Sequence, residues 1–301
     1  MSASDGQSGL ADADTYKYYL NSSLKQTTTE KSYTFIGLTG GTKYTIKVEA
    51  VDKAGRTGSD TKEATTTVPS IPETETQVAN YADVDGNGSV DGVIYADLAI
   101  GGSGTGLVQR YTITKGSNFK KYRVTQESYS GSLGTGKIIA PVSGNSGNER
   151  FYVMALSDVD SKTHYWYYSA YGNMNESSSA RPTSEEFGRG EQNTINMINK
   201  WNSSAYGSQN SNDMWGISAV NSRTWNGSSG WYIPSRDEWA AFAGELDIDD
   251  SNYSIKGLSD RYWSSSQNSI GIAWDADFNS GGFGYGYGYG SNHYVRLGTT
   301  F

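Results

Sequence analysis

YWSSSQNSIGIAWDADFNSGGFGYGYGYGSNHYVRLGTTF, residues 262–301, is the stretch on which the reading of this chain turns. Tyr262, Trp263, Trp274, Phe278, Val295, Leu297 and Phe301 frame a run of Asn, Ser, Gly, Asp, Tyr, Ile and Ala. Rigid aromatics among small polar residues are the composition of binding loops: Tyr gives contact area at low entropic cost, and Ser, Gly and Asn adapt their hydrogen bonds. The alternation from Trp274 to Phe278 predicts a strand with Trp274, Ala276 and Phe278 on the core face and Asp275 and Asp277 in water. The same period would line Tyr285, Tyr287 and Tyr289 along one face. A Gly-rich low-complexity loop fits that tract too, because glycine weakens strand interiors.

Working outward, the chain has 301 residues, enough for two domains, and its 37 glycines and 23 tyrosines favour strands and turns over helices. A formal charge of −8 argues against nucleic acid, whose phosphates need clustered Lys and Arg. With no cysteine there are no disulfides, thiolate nucleophiles or Cys-held zinc. No apolar run approaches the roughly 20 residues of a membrane span. The start MSASDGQSGLADAD has no signal-peptide pattern, so an export or anchoring signal is expected outside this chain.

Segments Tyr16–Leu20, Ser32–Ile36 and Thr42–Val51 alternate like strands between turn residues. Val68 to Thr76 is a linker by its prolines and polar composition. Asp83-Val84-Asp85-Gly86-Asn87-Gly88-Ser89-Val90-Asp91 opens like a calcium loop, with oxygen ligands at alternate positions and Gly at the turn. Its twelfth position is Ile94 where a bidentate carboxylate is expected, so an Asx-rich turn is the competing reading. Asp83, Asp85, Asn87 and Asp91 are the candidate ligands, and calcium is the one cofactor considered. Phe151–Leu156, nearly all apolar, reads as a central strand, and Tyr165-Trp166-Tyr167-Tyr168 as core aromatics. Ile195, Ile198 and Trp201 mark a helix over Glu191–Trp201. Ser235-Arg236-Asp237-Glu238 is a capping box opening a second helix through Leu246.

Two resemblances follow from these motifs. LTGGTKYTIKVEAVDKAG, residues 38–55, resembles the fibronectin type III module, with Leu38 and Tyr44 at its tyrosine-corner spacing, but there is no room for the first two strands. GWYIPSRDEW (230–239), YWSSSQ (262–267), AWDADF (273–278) and YVRL (294–297) resemble the variable proteins of diversity-generating retroelements. That resemblance implies a C-type lectin fold of the formylglycine-generating-enzyme type. It also implies adenine-directed mutagenesis, which scatters AAY codons to every residue except Lys, Glu, Gln, Met and Trp. From Asn268 to Tyr294 only Trp274 belongs to those five.

The expected fold class is therefore α+β. A C-type lectin domain with two helices and an antiparallel sheet would occupy residues 81–301, after a partial, all-β fibronectin-like sandwich (1–68) and a linker (69–80). Catalysis is not expected. His164 and His293 lie in dissimilar contexts, no G-x-S-x-G elbow marks a nucleophile, and the formylglycine-generating enzymes depend on cysteines absent here. Asp275 and Asp277 are read as solvated acids or as holders of a cation.

The expected function is receptor-like or adhesin-like binding through Asn268, Ser269, Gly271, Asp275, Asp277, Asn279, Ser280, Tyr285, Tyr287, Tyr289, Ser291, Asn292 and His293. The partner would be a macromolecule, a protein in the first place, met at a cell surface, outside the cell or on a virion. A carbohydrate-binding accessory module of a secreted bacterial protein is the alternative.

Overall fold

A computed structural model of the chain describes residues 9–12, 15–67, 70–102, 111–167, 182–203, 209–287 and 290–301. It divides into two units, Met1–Pro69 and Ser70–Phe301.

In the first unit, alternation at Tyr16 and Tyr18 buries both rings on one face of β1 (Tyr16–Leu20). A tight turn with Asn21 and Ser22 at positive φ returns the chain into β2 (Ser23–Thr28). With β3 (Lys43–Val51) and β4 (Thr57–Thr65) these strands form one antiparallel sheet in the order β2-β1-β3-β4. Tyr44 Oη accepts a hydrogen bond from the Thr39 N–H (3.0 Å), the tie-back that its spacing predicts. The expected sandwich is corrected: among the described residues this unit has a single sheet. Strand β4, TGSDTKEAT, is exposed along its whole length and has no apolar face for a second sheet to cover. Ser32–Ile36 is not a strand; Tyr33 instead stacks on Tyr18, with ring centroids 5.5 Å apart.

In the second unit β5 (Tyr81–Ala82), β6 (Gly92–Asp97), β7 (Tyr122–Gly131), β8 (Gly134–Pro141) and β9 (Phe151–Ala155) are joined by the distant β17 (Gly298–Thr300). They make a six-stranded sheet in the order β17-β9-β6-β5-β8-β7, in which only the β5–β8 pair is parallel. The apolar run of β9 lies inside this sheet, with Val153 in one core and Met154 in the other. One core holds Trp166, Trp215, Trp231 and Trp263. The other holds Tyr95, Trp239, Phe242, Tyr262 and Phe278.

Helices α1 (Gly190–Asn202), α2 (Ser218–Ser222) and α3 (Arg236–Glu245) are interspersed with short strand pairs: β10 (His164–Tyr165) with β16 (Asn292–His293), and β11 (Thr224–Trp225) with β12 (Ser228–Ser229). Helix α1 buries Asn193, Thr194, Met197 and Ile198, whereas Ile195 stays half-buried. Helix α3 begins at the predicted capping box: Ser235 Oγ accepts from the Glu238 N–H, and Glu238 Oε2 accepts from the Ser235 N–H (2.8 Å).

The expected C-type lectin domain is overturned. The described residues are mostly β, with seventeen strands in five sheets against three α-helices, and they do not show the C-type lectin arrangement of two helices with one antiparallel sheet. The reason lies upstream of the motifs. Strands from residues 81–155 build the larger sheet and recruit the C-terminal β17, and α3 packs against β6 of that sheet.

Part of the stretch read as linker is also fastened to this unit. The Ile71 N–H donates to the Tyr122 carbonyl (2.8 Å), and the Gln77 N–H to Asp97 Oδ2 (3.0 Å). Arg150, 1% exposed, grips Asp97 through Nε and Nη2 (2.8 and 2.9 Å) and also donates to the Glu75 carbonyl (3.0 Å).

Candidate functional site

The C-terminal sheet is the meander β13 (Arg261–Ser269), β14 (Ile272–Asp277) and β15 (Gly282–Tyr287), with β14 in the middle. Its register settles the phase of the alternation. Ile272 pairs with Tyr287, Trp274 with Tyr285 and Ala276 with Phe283; between them Ala273 pairs with Gly286, Asp275 with Gly284 and Asp277 with Gly282. Aromatics thus share one face with aliphatics, and the glycines share the other with the aspartates.

The aspartates lie on the packed face, opposite to the sequence expectation. Asp275 is 0% exposed and Asp277 3%. A Cβ at Gly284 would stand 2.5 Å from Asp275 Oδ1, and one at Gly286 2.7 Å from the Trp263 ring. At Gly284 and Gly286 the Gly-Tyr repeat therefore has a steric cause, because only a hydrogen fits beneath those two positions. Asp277 is neutralised by Arg261 (2.6 Å) and caps the following turn by accepting from the Ser280 N–H (3.1 Å). His293, 6% exposed, packs its ring against Trp263 at a tilt of 51°, with centroids 4.1 Å apart. Its Nε2 lies 3.3 Å from Asp275 Oδ2, off the line of a hydrogen bond.

On the opposite face Trp274 is half-buried and fixed. Its Nε1 donates to Glu185 Oε1 (2.8 Å), Arg236 lies over its ring at 5.1 Å, and Tyr285 meets it edge-on at 6.4 Å. Arg236 is itself held by Glu185 and by Asp237 (2.8 Å). Burial pushes the Asp237 carboxyl above its usual range, with Arg236 opposing. Tyr285 is 68% exposed, and Ile270, in the β13–β14 turn, is 63% exposed. The result is an aromatic and aliphatic patch on a backed, rigid support. Sequence reasoning misses Glu185 and Arg236, whose roles come from distant segments meeting under Trp274.

Of the other predicted surface residues, Asn279, Ser280 and Asn292 are exposed, Asn268, Ser269 and Ser291 are half-buried, and Gly271 is buried at the turn. Asn292 Oδ1 accepts from Asn212 Nδ2 (3.1 Å). Tyr287 ends β15, its side chain lying outside the described set, and Tyr289 lies outside the described residues, as does Tyr168.

The predicted calcium ligands come together as well. Asp83, Asp85 and Asp91 offer oxygens within 4.8 Å of one another, in the loop joining β5 to β6. Asn87 sits at the exposed tip of that loop. Beside it a cleft of about 360 Å³ is lined by Asp85, Lys120, Glu149, Ser228 and Phe301, among others. No helix among the described residues is long and apolar enough to cross a membrane.

No family model and no curated protein sequence matches the chain. A crystal structure of a fimbrial protein from Bacteroides ovatus ATCC 8483 aligns with a TM-score of 0.36 and 13% identity, covering 95% of this chain and 64% of that one. A likeness of that degree establishes neither a shared fold nor a shared role, and the site must be read from its own chemistry.

Proposed function

We propose that this chain is a non-catalytic binding protein that engages a partner protein outside the cell or on a virion through the outer face of β14 and β15. The observation that carries this reading is the fixed Trp274 beside the exposed Tyr285. An anchor already immobilised by Glu185 and Arg236 loses little freedom on binding, and buried aromatics dominate the energy of protein interfaces. Ile270 and the half-buried Ile272 extend the apolar area around the pair.

Within this reading, the diversification that the retroelement resemblance implies would fall on Asn268, Ser269, Asn279, Ser280, Tyr285, Ser291 and Asn292. Asp275, Asp277 and His293 are excluded because their side chains are enclosed. Sister genes test this: variation confined to the outward positions agrees with it, and variation at Asp275 or His293 contradicts it. Binding is tested by probing the whole chain against purified extracellular proteins and an array of glycans, beside its Tyr285→Ala variant. Protein ligands lost with Tyr285 support the proposal; glycan ligands alone would favour the carbohydrate-binding alternative.

A further inference from the structure

The loop between β5 and β6 buries charge that it does not satisfy. Asp83 and Asp91 are each 1% exposed. One oxygen of each is used: Asp83 Oδ2 accepts from the Gly88 N–H (2.9 Å) and Asp91 Oδ2 from the Val84 N–H (2.9 Å). The other oxygen, Oδ1 in both residues, is buried with no hydrogen-bond partner. Buried polar atoms are nearly always paired, and two orphaned carboxylate oxygens in one loop are costly. The carboxylate of Asp85 joins them in the same small space. The three carboxylates repel one another, and a cation between them would reverse the sign of every one of those interactions.

We infer that Asp83, Asp85 and Asp91 form a calcium site that fastens the β5–β6 turn. The donors are all oxygen, which selects a hard cation over zinc or copper. Calcium suits an irregular loop of this kind, whereas magnesium demands a near-ideal octahedron and keeps its waters. Asn87 steadies Asp85 by donating from Nδ2 to its Oδ2 (3.0 Å), and Asn226, in the turn between β11 and β12, faces Asp91.

The loop departs from the EF-hand at its end. Ile94 stands where the bidentate glutamate would be and is fully buried in β6. Asp91 instead folds back over the loop, and the chain passes at once into Gly92, where a side chain would strike the backbone of Met154 on β9. With one strong ligand fewer, the affinity should fall in the range of extracellular calcium modules, roughly 0.1–1 mM.

The test uses the whole chain, stripped with EDTA, and calcium alone as the probe. All eight tryptophans lie beyond Pro69, so tryptophan fluorescence follows the unit that contains the loop. About 5 mM calcium is expected to raise the melting temperature by about 3 °C or more, and the same magnesium by less than half of that. Asp85 is exposed, so Asp85→Asn should fold normally and bind calcium at least about tenfold more weakly by calorimetry. Asp91→Asn should melt no lower than the parent in EDTA, because a repelling charge is gone, and gain nothing from calcium. A parent melting temperature unmoved by calcium would overturn the inference, as would an equal response to magnesium or a full calcium response in both variants.

Discussion

Gly284 lies directly across the β14–β15 ladder from Asp275, and a methyl group on it would stand 2.5 Å from Asp275 Oδ1. The contact explains why position 284 of the tract is glycine. It also gives a sharp contrast within one strand. Gly284→Ala should cost about 2 kcal/mol or more in urea unfolding followed by tryptophan fluorescence, since neither the central strand nor the enclosed carboxylate can move aside. Gly282→Ala, with open space around it, should stay within about 0.5 kcal/mol of the parent. Equal losses in the two variants would show that the glycines serve backbone conformation rather than packing.

Glu238 makes stability depend on pH. It is completely enclosed, its carboxylate accepts N–H groups of Ser235 and Gly190, and burial raises its pKa to about 7. A raised carboxyl pKa means that the folded state holds its proton more tightly than the unfolded state does. The stabilisation is therefore complete below the unfolded value near 4.5 and is lost as pH climbs through about 7. The unfolding free energy from urea titrations should fall across that window, by at most about 3 kcal/mol in total, and Glu238→Gln should flatten the fall. An unchanged slope in the variant would assign the pH dependence to other groups.

Arg150 and Asp97 are each at most 2% exposed and joined by two parallel hydrogen bonds. Asp97 also accepts the N–H groups of Gln77 and Ala99, so its loss strands donors as well as a guanidinium. Asp97→Ala should cost about 3–5 kcal/mol, as expected when one member of a buried pair is removed. Because Arg150 also holds the Glu75 carbonyl, residues 71–77 should become protease-sensitive in that variant. A loss below about 1 kcal/mol would mean that water replaces the pair.

How much of this is legible in the sequence depends on the residue. The helix at Ser235 is, because a capping box is a local device whose partners lie three residues apart. The alternation of residues 272–287 is also legible, and Ala276 and Phe278 are buried as expected, but Asp275 and Asp277 on the other face are buried too. Charge assigns Asp275 and Asp277 to water, whereas Arg261 pairs with the enclosed Asp277, and Asp275 is enclosed beside His293 with neither carboxylate oxygen hydrogen-bonded. The glycines at 284 and 286 carry the missing signal, since a face that tolerates no Cβ is a packed one.

The lectin-like expectation fails for a related reason. Motifs such as GWYIPSRDEW and YWSSSQ mark local packing around Trp239 and Trp263, and local packing does not report that β17 crosses the molecule to pair with β9. In the first unit, Tyr44 announces its own hydrogen bond to Thr39 and says nothing about whether a second sheet exists.

The measurement that bears most directly on the binding proposal compares affinity and urea stability for the parent and Tyr285→Ala. Extracellular proteins captured by the parent chain serve as the probes. With a side chain 68% exposed, the variant should unfold within about 0.5 kcal/mol of the parent yet bind at least about tenfold more weakly. Undiminished binding, or weaker binding accompanied by a matching loss of stability, would contradict the assignment of this face.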